Sequence, residues 1–263
     1  MKKIVKKLFP TYINDIASEI AFPTKSFTGN FIRKKISYQS KALNKAAIDQ
    51  FQPQDGCNYL ELGFGRGDGL QLFHDILEAN KLQGKLFGIE ASSYALDKGL
   101  HRFALEVADN KIILEKSPRL ILLPFTNDFF DGIYHVDVFY YWPTKHMTRI
   151  QRELFRILKP NSKIVCTMDL NRLKNWESWG LISSKDYDIM RYAWYLEPCG
   201  FENVNIKYIN VEKNREIQVI TANKPPKRIE DDDPEEKLKQ LEMDIKYYMF
   251  EEALLKEKEL GIT

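Results

Sequence analysis

The stretch "NYLELGFGRGDGL" at 58–70 constrains the fold more than any other part of the chain. Tyr59 to Leu62 read as a short buried strand, and a helical pattern follows near 69–80. Between them lie Gly63, Gly65 and Gly67, with Gly69 close behind. Glycine weakens strands and helices alike, so the cluster belongs to a turn that needs unusual angles or close approach of another group. A turn of this kind between a buried strand and a helix points to a parallel sheet with crossover helices.

The sequence beyond repeats the alternation. "GKLFGIE", "NKIILEKS", "DGIYHVDVFY" and "SKIVCTMDL" read as strands, with helices near 93–108 and 145–158 between them. "FENVNIKYINV" and "REIQVITANK" read as two consecutive strands joined at "EKN", a hairpin that would make the sheet mixed. Before the glycine turn, Tyr12, Ile13, Ile16 and Ile20 fall at helical spacing after Pro10. "FPTKSFTGNFIRKK" reads as a loop or lid, and "YQSKALNKAAIDQF" as a second helix with Leu43, Ala46, Ala47 and Phe51 on one face. "PQDG" at 53–56 is a turn signal. The expected organisation is N-terminal helices and lid at 1–52, the sheet domain at 53–224, and an acidic linker with a C-terminal helix at 225–263. Leu238, Leu241, Ile245 and Tyr248 give that last helix a partial apolar face. The face is either a solvated surface or a contact for a protein partner or a second copy.

Composition narrows the function classes. Hydrophobic residues make up 44% of the 263, enough to fill a core, and the formal net charge is only +2. That balance argues against bulk electrostatic binding to nucleic acid. The three cysteines, Cys57, Cys166 and Cys199, are far apart and form no CxxC pair, so neither zinc nor a disulfide framework is expected. A reducing, cytoplasmic setting fits them. No apolar run approaches the ~20 residues that span a bilayer, and the apolar part of "MKKIVKKLFP" is too short for a secretory signal; this basic start reads as a solvated first turn, with a weak membrane-surface contact or a poor organelle presequence as the alternatives.

Two phosphate-binding patterns fail at the glycine turn. The third glycine of GxGxxG would be Asp68 counted from Gly63, or Leu70 counted from Gly65, and a carboxylate at the helix start repels a pyrophosphate. No GxxxxGK[ST] is present. The pattern that fits is acidic-x-Gly-x-Gly-x-Gly: Glu61, Gly63, Gly65, Gly67. It resembles motif I of the class I S-adenosylmethionine-dependent methyltransferases, whose ligand is a nucleoside joined to an amino acid, with no phosphate. The resemblance implies that Glu61 meets the methionyl ammonium, directly or through water. Gly63, Phe64, Gly65 and Gly67 would lie along S-adenosyl-L-methionine, and Glu90, with Ala91, would receive the ribose hydroxyls. A carboxylate at the position of Glu90 fits a dinucleotide fold equally well.

A second block resembles the later part of the same family: "LPF", the "FD" that opens the fourth strand, an aromatic loop, a helix, then Arg156, Leu158, Lys159 and Pro160. Asn161-Ser162 replaces the usual Gly-Gly turn, and asparagine tolerates a left-handed backbone. Asn44, on the helix before motif I, matches an asparagine of the small-molecule methyltransferases. The likeness runs from about Gly29 to Asn223 and is nearest to the branch containing ubiquinone and menaquinone biosynthesis enzymes. Ser117 departs from it, standing where a carboxylate often contacts adenine. The implied architecture is α/β, a Rossmann-like methyltransferase fold. Its mostly parallel seven-stranded sheet ends in a C-terminal antiparallel hairpin strand and carries helices on both faces.

The implied activity is methyl transfer to a small-molecule acceptor, in which the protein aligns the partners and excludes water. His135 and Asp137 alternate at the end of the fourth strand and would share a face if the strand continued. Both are candidate bases, and Val136 between them would line the cofactor. "FYYWP" at 139–143 would overhang the site or pack in the core. "NRLKNWESWGLISSKDY" at 171–187, with Trp176 and Trp179, is a candidate substrate wall. One rival is a cofactor-binding but inactive module that holds a partner through its C-terminal helix. The other is a nicotinamide oxidoreductase, weakened by the missing third glycine.

Overall fold

The computed structural model describes residues 16–18, 24, 25, 27–211, 215–227, 238 and 242. Most of the amphipathic segment around Tyr12–Ile20, the "EKN" turn and most of the C-terminal helix therefore lie outside the described residues. The chain divides into two units, 1–225 and 226–263. In the second, Leu238 and Glu242 are helical and exposed.

The first unit is a seven-stranded sheet. Its strands are β1 (Asn58–Leu62), β2 (Lys85–Glu90), β3 (Ile112–Lys116), β4 (Phe130–Val136), β5 (Leu158–Asp169), β6 (Glu202–Val211) and β7 (Arg215–Asn223). The order is β3-β2-β1-β4-β5-β7-β6. The pairings β3–β2, β2–β1, β1–β4 and β4–β5 are parallel, while β7 runs antiparallel to both β5 and β6. The chain order reverses between β1 and β4, and a ligand crevice opens at such a switch point, beyond the carboxyl ends of the strands.

The helices are α1 (Phe27–Ile48), α2 (Asp68–Ala79), α3 (Ser93–Arg102), α4 (Ala104–Ala108), α5 (Met147–Ile157), α6 (Leu170–Trp179) and α7 (Ile189–Ala193). Alternation along the strands sorts the core into two layers. Leu43, Ala47, Leu70, Phe73 and Phe103 pack with Tyr59, Tyr134, Val165 and Val219. Met147, Ile150, Leu154, Leu173 and Tyr192 pack with Leu60, Leu62, Ile133, Cys166 and Ile220 on the opposite face.

Three local departures from sequence expectation have physical causes. The polar stretch expected as a loop before Tyr38 is largely helical, and α1 runs unbroken from Phe27 to Ile48. Burial of Leu43, Ala47 and Ile48 against the sheet anchors its end, and tertiary packing of this kind supports a helix of weak intrinsic amphipathicity. The helix expected over 93–108 breaks at Phe103, whose φ of −105° and ψ of 30° leave the helical region while its ring is fully buried. The turn at Asn161-Ser162 lies inside β5, where pairing with β4 slips between Phe130 and Gly132. Asn161 adopts φ +63°, the left-handed angle its side chain tolerates.

The "LPF", "FD" and "RILKP" elements are one structural assembly. Arg156 donates to the carbonyls of Leu123 and Phe125 at 3.2 and 2.8 Å and pairs with buried Glu153, which accepts from the Leu123 amide at 2.6 Å. Lys159 pairs with Asp131 at 2.8 Å, and Asp131 also receives the Asn58 amide at the start of β1. These bonds fix the β1–β4–β5 register well below the crevice.

Candidate functional site

The glycine turn leaves β1 at the switch point, and its glycines answer to different demands. A Cβ at Gly63 would meet Val138 Cγ2 at 2.8 Å, one at Gly67 would enter the Phe103 ring, and one at Gly69 would strike the Glu61 carboxylate at 2.6 Å. Those three are small because the protein packs against them. Gly65 is different: its φ is +55° and no heavy atom lies within 4 Å of where a Cβ would stand. The cleared space lies there.

Beneath Gly65 sits Glu90, the last residue of β2, only 7% exposed. One carboxylate oxygen accepts from the Gly65 amide at 3.0 Å, and the other accepts from the Ala91 and Ser92 amides at 2.8 and 3.1 Å. Ser117, one strand over, donates its amide to the Glu90 carbonyl at 3.1 Å and its hydroxyl to the Arg119 carbonyl at 2.8 Å. The structure thus brings Gly65, Glu90, Ala91 and Ser117 together along the β1–β2–β3 edge of the crevice.

The Phe64 ring turns inward against Gly88 and Gly99, leaving only its backbone on the turn. Glu61 is also buried. Its carboxylate accepts from the Tyr134 hydroxyl at 3.0 Å and from the Leu70 amide, wedged under the start of α2. Burial, with Asp68 and Glu90 adding repulsion, pushes its pKa up to about 8.

Asp68 occupies the N-terminus of α2, the place where a pyrophosphate would dock. Burial works against its charge, but Ser37 and Arg102 hold the carboxyl below its usual pKa; Arg102 lies 2.7 Å away. The helix end is therefore already neutralised from within.

On the other side of the crevice, β4 ends at Val136, and Asp137 takes φ +60°. The strand does not continue, so His135 and Asp137 part company instead of sharing a face. His135 is fully buried between Trp142 and Tyr192, with Nε2 at 2.9 Å from the Tyr192 hydroxyl. Burial drives its pKa down to about 3, leaving a neutral core imidazole in place of the expected crevice base. Asp137 turns toward α1. Its Oδ2 accepts from Ser40 at 3.2 Å and from Arg172 of α6, while Oδ1 is buried with no hydrogen-bond partner.

Arg172 falls within the 171–187 segment expected as a substrate wall, where no role of its own was expected for it. It is 6% exposed and donates to Ser40 at 3.1 Å as well as to Asp137. Burial and the neighbouring Arg215 guanidinium oppose its charge, which Asp137 offsets. Asp169 caps α6 by accepting from the Arg172 amide at 3.0 Å and pairs with Arg215, which also donates to the Gln39 carbonyl. Together with the Ser37–Asp68 bond, these contacts fasten α1 across the carboxyl ends of β4 and β5, to the amino end of β7 and to the start of α2. Asn44 lies further along α1, buried, next to Leu43, whose carbonyl accepts from Thr167 at 3.2 Å. Thr167 is the β5 partner of Val136, so Asn44 and Val136 belong to the β4–β5 side, away from Gly65.

The aromatic loop does not overhang the crevice. Phe139, Tyr140 and Trp142 are at most 5% exposed and pack in the core. Trp176 lies partly buried under Arg172, 5.3 Å from ring centroid to guanidinium, whereas Trp179 is exposed. Among the described residues no group of three His, Cys, Asp or Glu side chains could hold a metal ion, and no helix is long and apolar enough to cross a membrane.

Sheet order, switch-point turn and helix layers define a Rossmann-like methyltransferase fold. Residues 60–166 match the family described as a methyltransferase domain. Three solved structures share the fold. The complex of the Haloferax volcanii Trm112 methyltransferase activator with a putative methyltransferase superposes with TM-score 0.61 at 16% identity, covering 85% of this chain and 99% of that one. Haemonchus contortus phosphoethanolamine N-methyltransferase 2, bound to phosphomonomethylethanolamine and S-adenosylhomocysteine, gives 0.58 at 15%, covering 81% of this chain; the match spans 60% of the worm enzyme. The [4+2]-cyclase SpnF gives 0.56 at 14%, covering 72% of this chain and 82% of that one. No curated protein sequence matches the chain.

Proposed function

We propose that the protein binds S-adenosylmethionine at the glycine turn and methylates a small-molecule acceptor. The observation that carries this reading is Gly65, a left-handed residue facing open space directly above the buried Glu90 carboxylate. The backbone of Gly63, Phe64, Gly65 and Gly67 would line the cofactor. Glu90, with Ala91, would accept the ribose hydroxyls, and Ser117 would stand near the adenine. Val136 and Asn44 would close the β4 side. Glu61 acts from beneath: a nearby ammonium would favour its ionised form and draw its pKa down from about 8. The neutralised start of α2 suits a ligand without phosphate.

The cofactor supplies an activated methyl group, and the chain's residues supply placement. Asp137 is the acceptor-side group. Its Oδ1 makes no hydrogen bond, so it can orient an acceptor N–H or O–H while Arg172 and Ser40 hold Oδ2. His135 takes no part in proton transfer in this scheme. The segment 171–187 forms the acceptor wall. The three free thiols suit a cytoplasmic enzyme.

The Haloferax likeness favours a second reading, in which the chain needs a protein partner, with the segment beyond residue 225 as its attachment. Fold alone does not separate these readings, as the cyclase among the similar structures illustrates. Incubating the chain with methyl-labelled S-adenosylmethionine and a metabolite extract, followed by mass spectrometry, separates them. Labelled product from the purified chain supports the enzyme. Product only after protein extract is added supports the partner-dependent module, and no product in either case, with no cofactor bound, overturns both.

A further inference from the structure

Away from the glycine turn, on the face of the sheet that carries α5, lies an open groove of about 380 Å³. It is lined by Met168 of β5, Leu170 of α6, Gln218 of β7, Ser184, Lys185, Tyr187 and Asp188 of the α6–α7 connection, and Ile189 of α7. No residue of the turn lines it. Its floor is apolar, and Lys185 and Asp188 on its rim carry opposite charges that leave it near neutrality. Gln218 is 4% exposed, and its Oε1 has no hydrogen-bond partner. A buried amide oxygen without a donor is destabilising unless something satisfies it. Rotation about the last torsion of glutamine is broad and nearly two-fold, so the oxygen can be presented to the groove without moving the strand.

We infer that this groove is a second ligand site, for a neutral small molecule with an apolar body and one N–H or O–H that donates to Gln218. The volume suits a one- or two-ring body and is too small for a helix of a protein partner. Lys185 and Asp188 together select against a strongly charged ligand of either sign. The inference stands apart from cofactor binding, since it depends on Met168, Ile189 and Gln218 and on nothing in the glycine turn, although Ser184, Lys185 and Tyr187 belong to the segment proposed above as the acceptor wall.

The test is titration of the isotopically labelled full chain with indole and with 1-methylindole, which differ by one donor, followed by amide correlation NMR. Indole is expected to shift the amides of Leu170, Ile189 and Gln218 and to bind at least tenfold more tightly than 1-methylindole. Gln218→Met, nearly isosteric, should reduce that preference to less than twofold. Ile189→Trp fills the groove, leaves Gln218 in place, and should abolish binding of both probes. Equal affinity for the two probes, shifts that map elsewhere, or a preference that survives Gln218→Met overturns the inference. Stabilisation by S-adenosylhomocysteine, measured on the same samples, reports separately on the glycine turn and is expected to be unchanged in Ile189→Trp.

Discussion

The carboxyl ends of β1 and β4 flank the same crevice and are built in opposite ways. The β1 end is made of absence: a left-handed Gly65 with nothing around its missing side chain, its amide donating one hydrogen bond to the Glu90 carboxylate. The β4 end is made of charge: Asp137, also left-handed, buried against Ser40 and Arg172 and tied through Asp169 and Arg215 to α1. One side makes room and the other fastens a lid-like helix across strand ends. A change on the first side should therefore cost ligand affinity with little stability, and a change on the second should cost stability first.

The largest effect should come from the charged side. Arg172→Met leaves Asp137 buried without its ion-pair partner, and breaking a buried pair from one side costs about 3–5 kcal/mol. Chemical denaturation should show that loss in full. A loss under about 1 kcal/mol would mean that α1 is not held by this network, and the contrast between the two ends would fail.

Next in size is Gly65→Val. The added side chain meets no protein atom, yet it occupies the cleared space and its branching opposes the positive φ. Affinity for S-adenosylhomocysteine by calorimetry should fall at least 100-fold, while the unfolding midpoint drops by only a few degrees. Unchanged affinity would remove the turn from the site.

A smaller effect is pH-linked. Glu61 has its pKa raised by burial from about 4.5 to about 8, so the folded state holds its proton longer than the unfolded chain does. Its stabilising contribution is present in full below about pH 4.5 and is lost as pH rises through 8. Glu61→Gln cannot lose that proton. The variant's stability should fall less than the wild type's between pH 5 and 8.5, by on the order of 4 kcal/mol. Parallel pH profiles would show that Glu61 is not protonated in the fold.

The contrast also explains what was legible in the sequence. The β1 side is local: strand, glycine spacing and the Glu90 position all fall within successive strand–turn–helix units, so periodicity and motif marked them. The α/β sheet with its terminal hairpin was legible for the same reason. The β4 side is assembled from distant segments. Ser40, Asp137, Arg172 and Arg215 have no shared spacing, and an arginine on a helix after a strand looks like a solvated charge. His135 misled because alternation assumes that the strand continues, whereas β4 stops one residue later and the backbone turns left-handed. The aromatic run at 139–143 was open to two readings, and burial decides for the core.

The central claim is that the crevice at Gly65 accepts a phosphate-free nucleoside joined to an amino acid. Thermal denaturation of the full chain with S-adenosylhomocysteine and, in parallel, with NAD tests it most directly, since a ligand that binds only the native state raises the unfolding temperature by mass action. A saturable rise with S-adenosylhomocysteine and none with NAD is the expected result. A rise with NAD alone would contradict it.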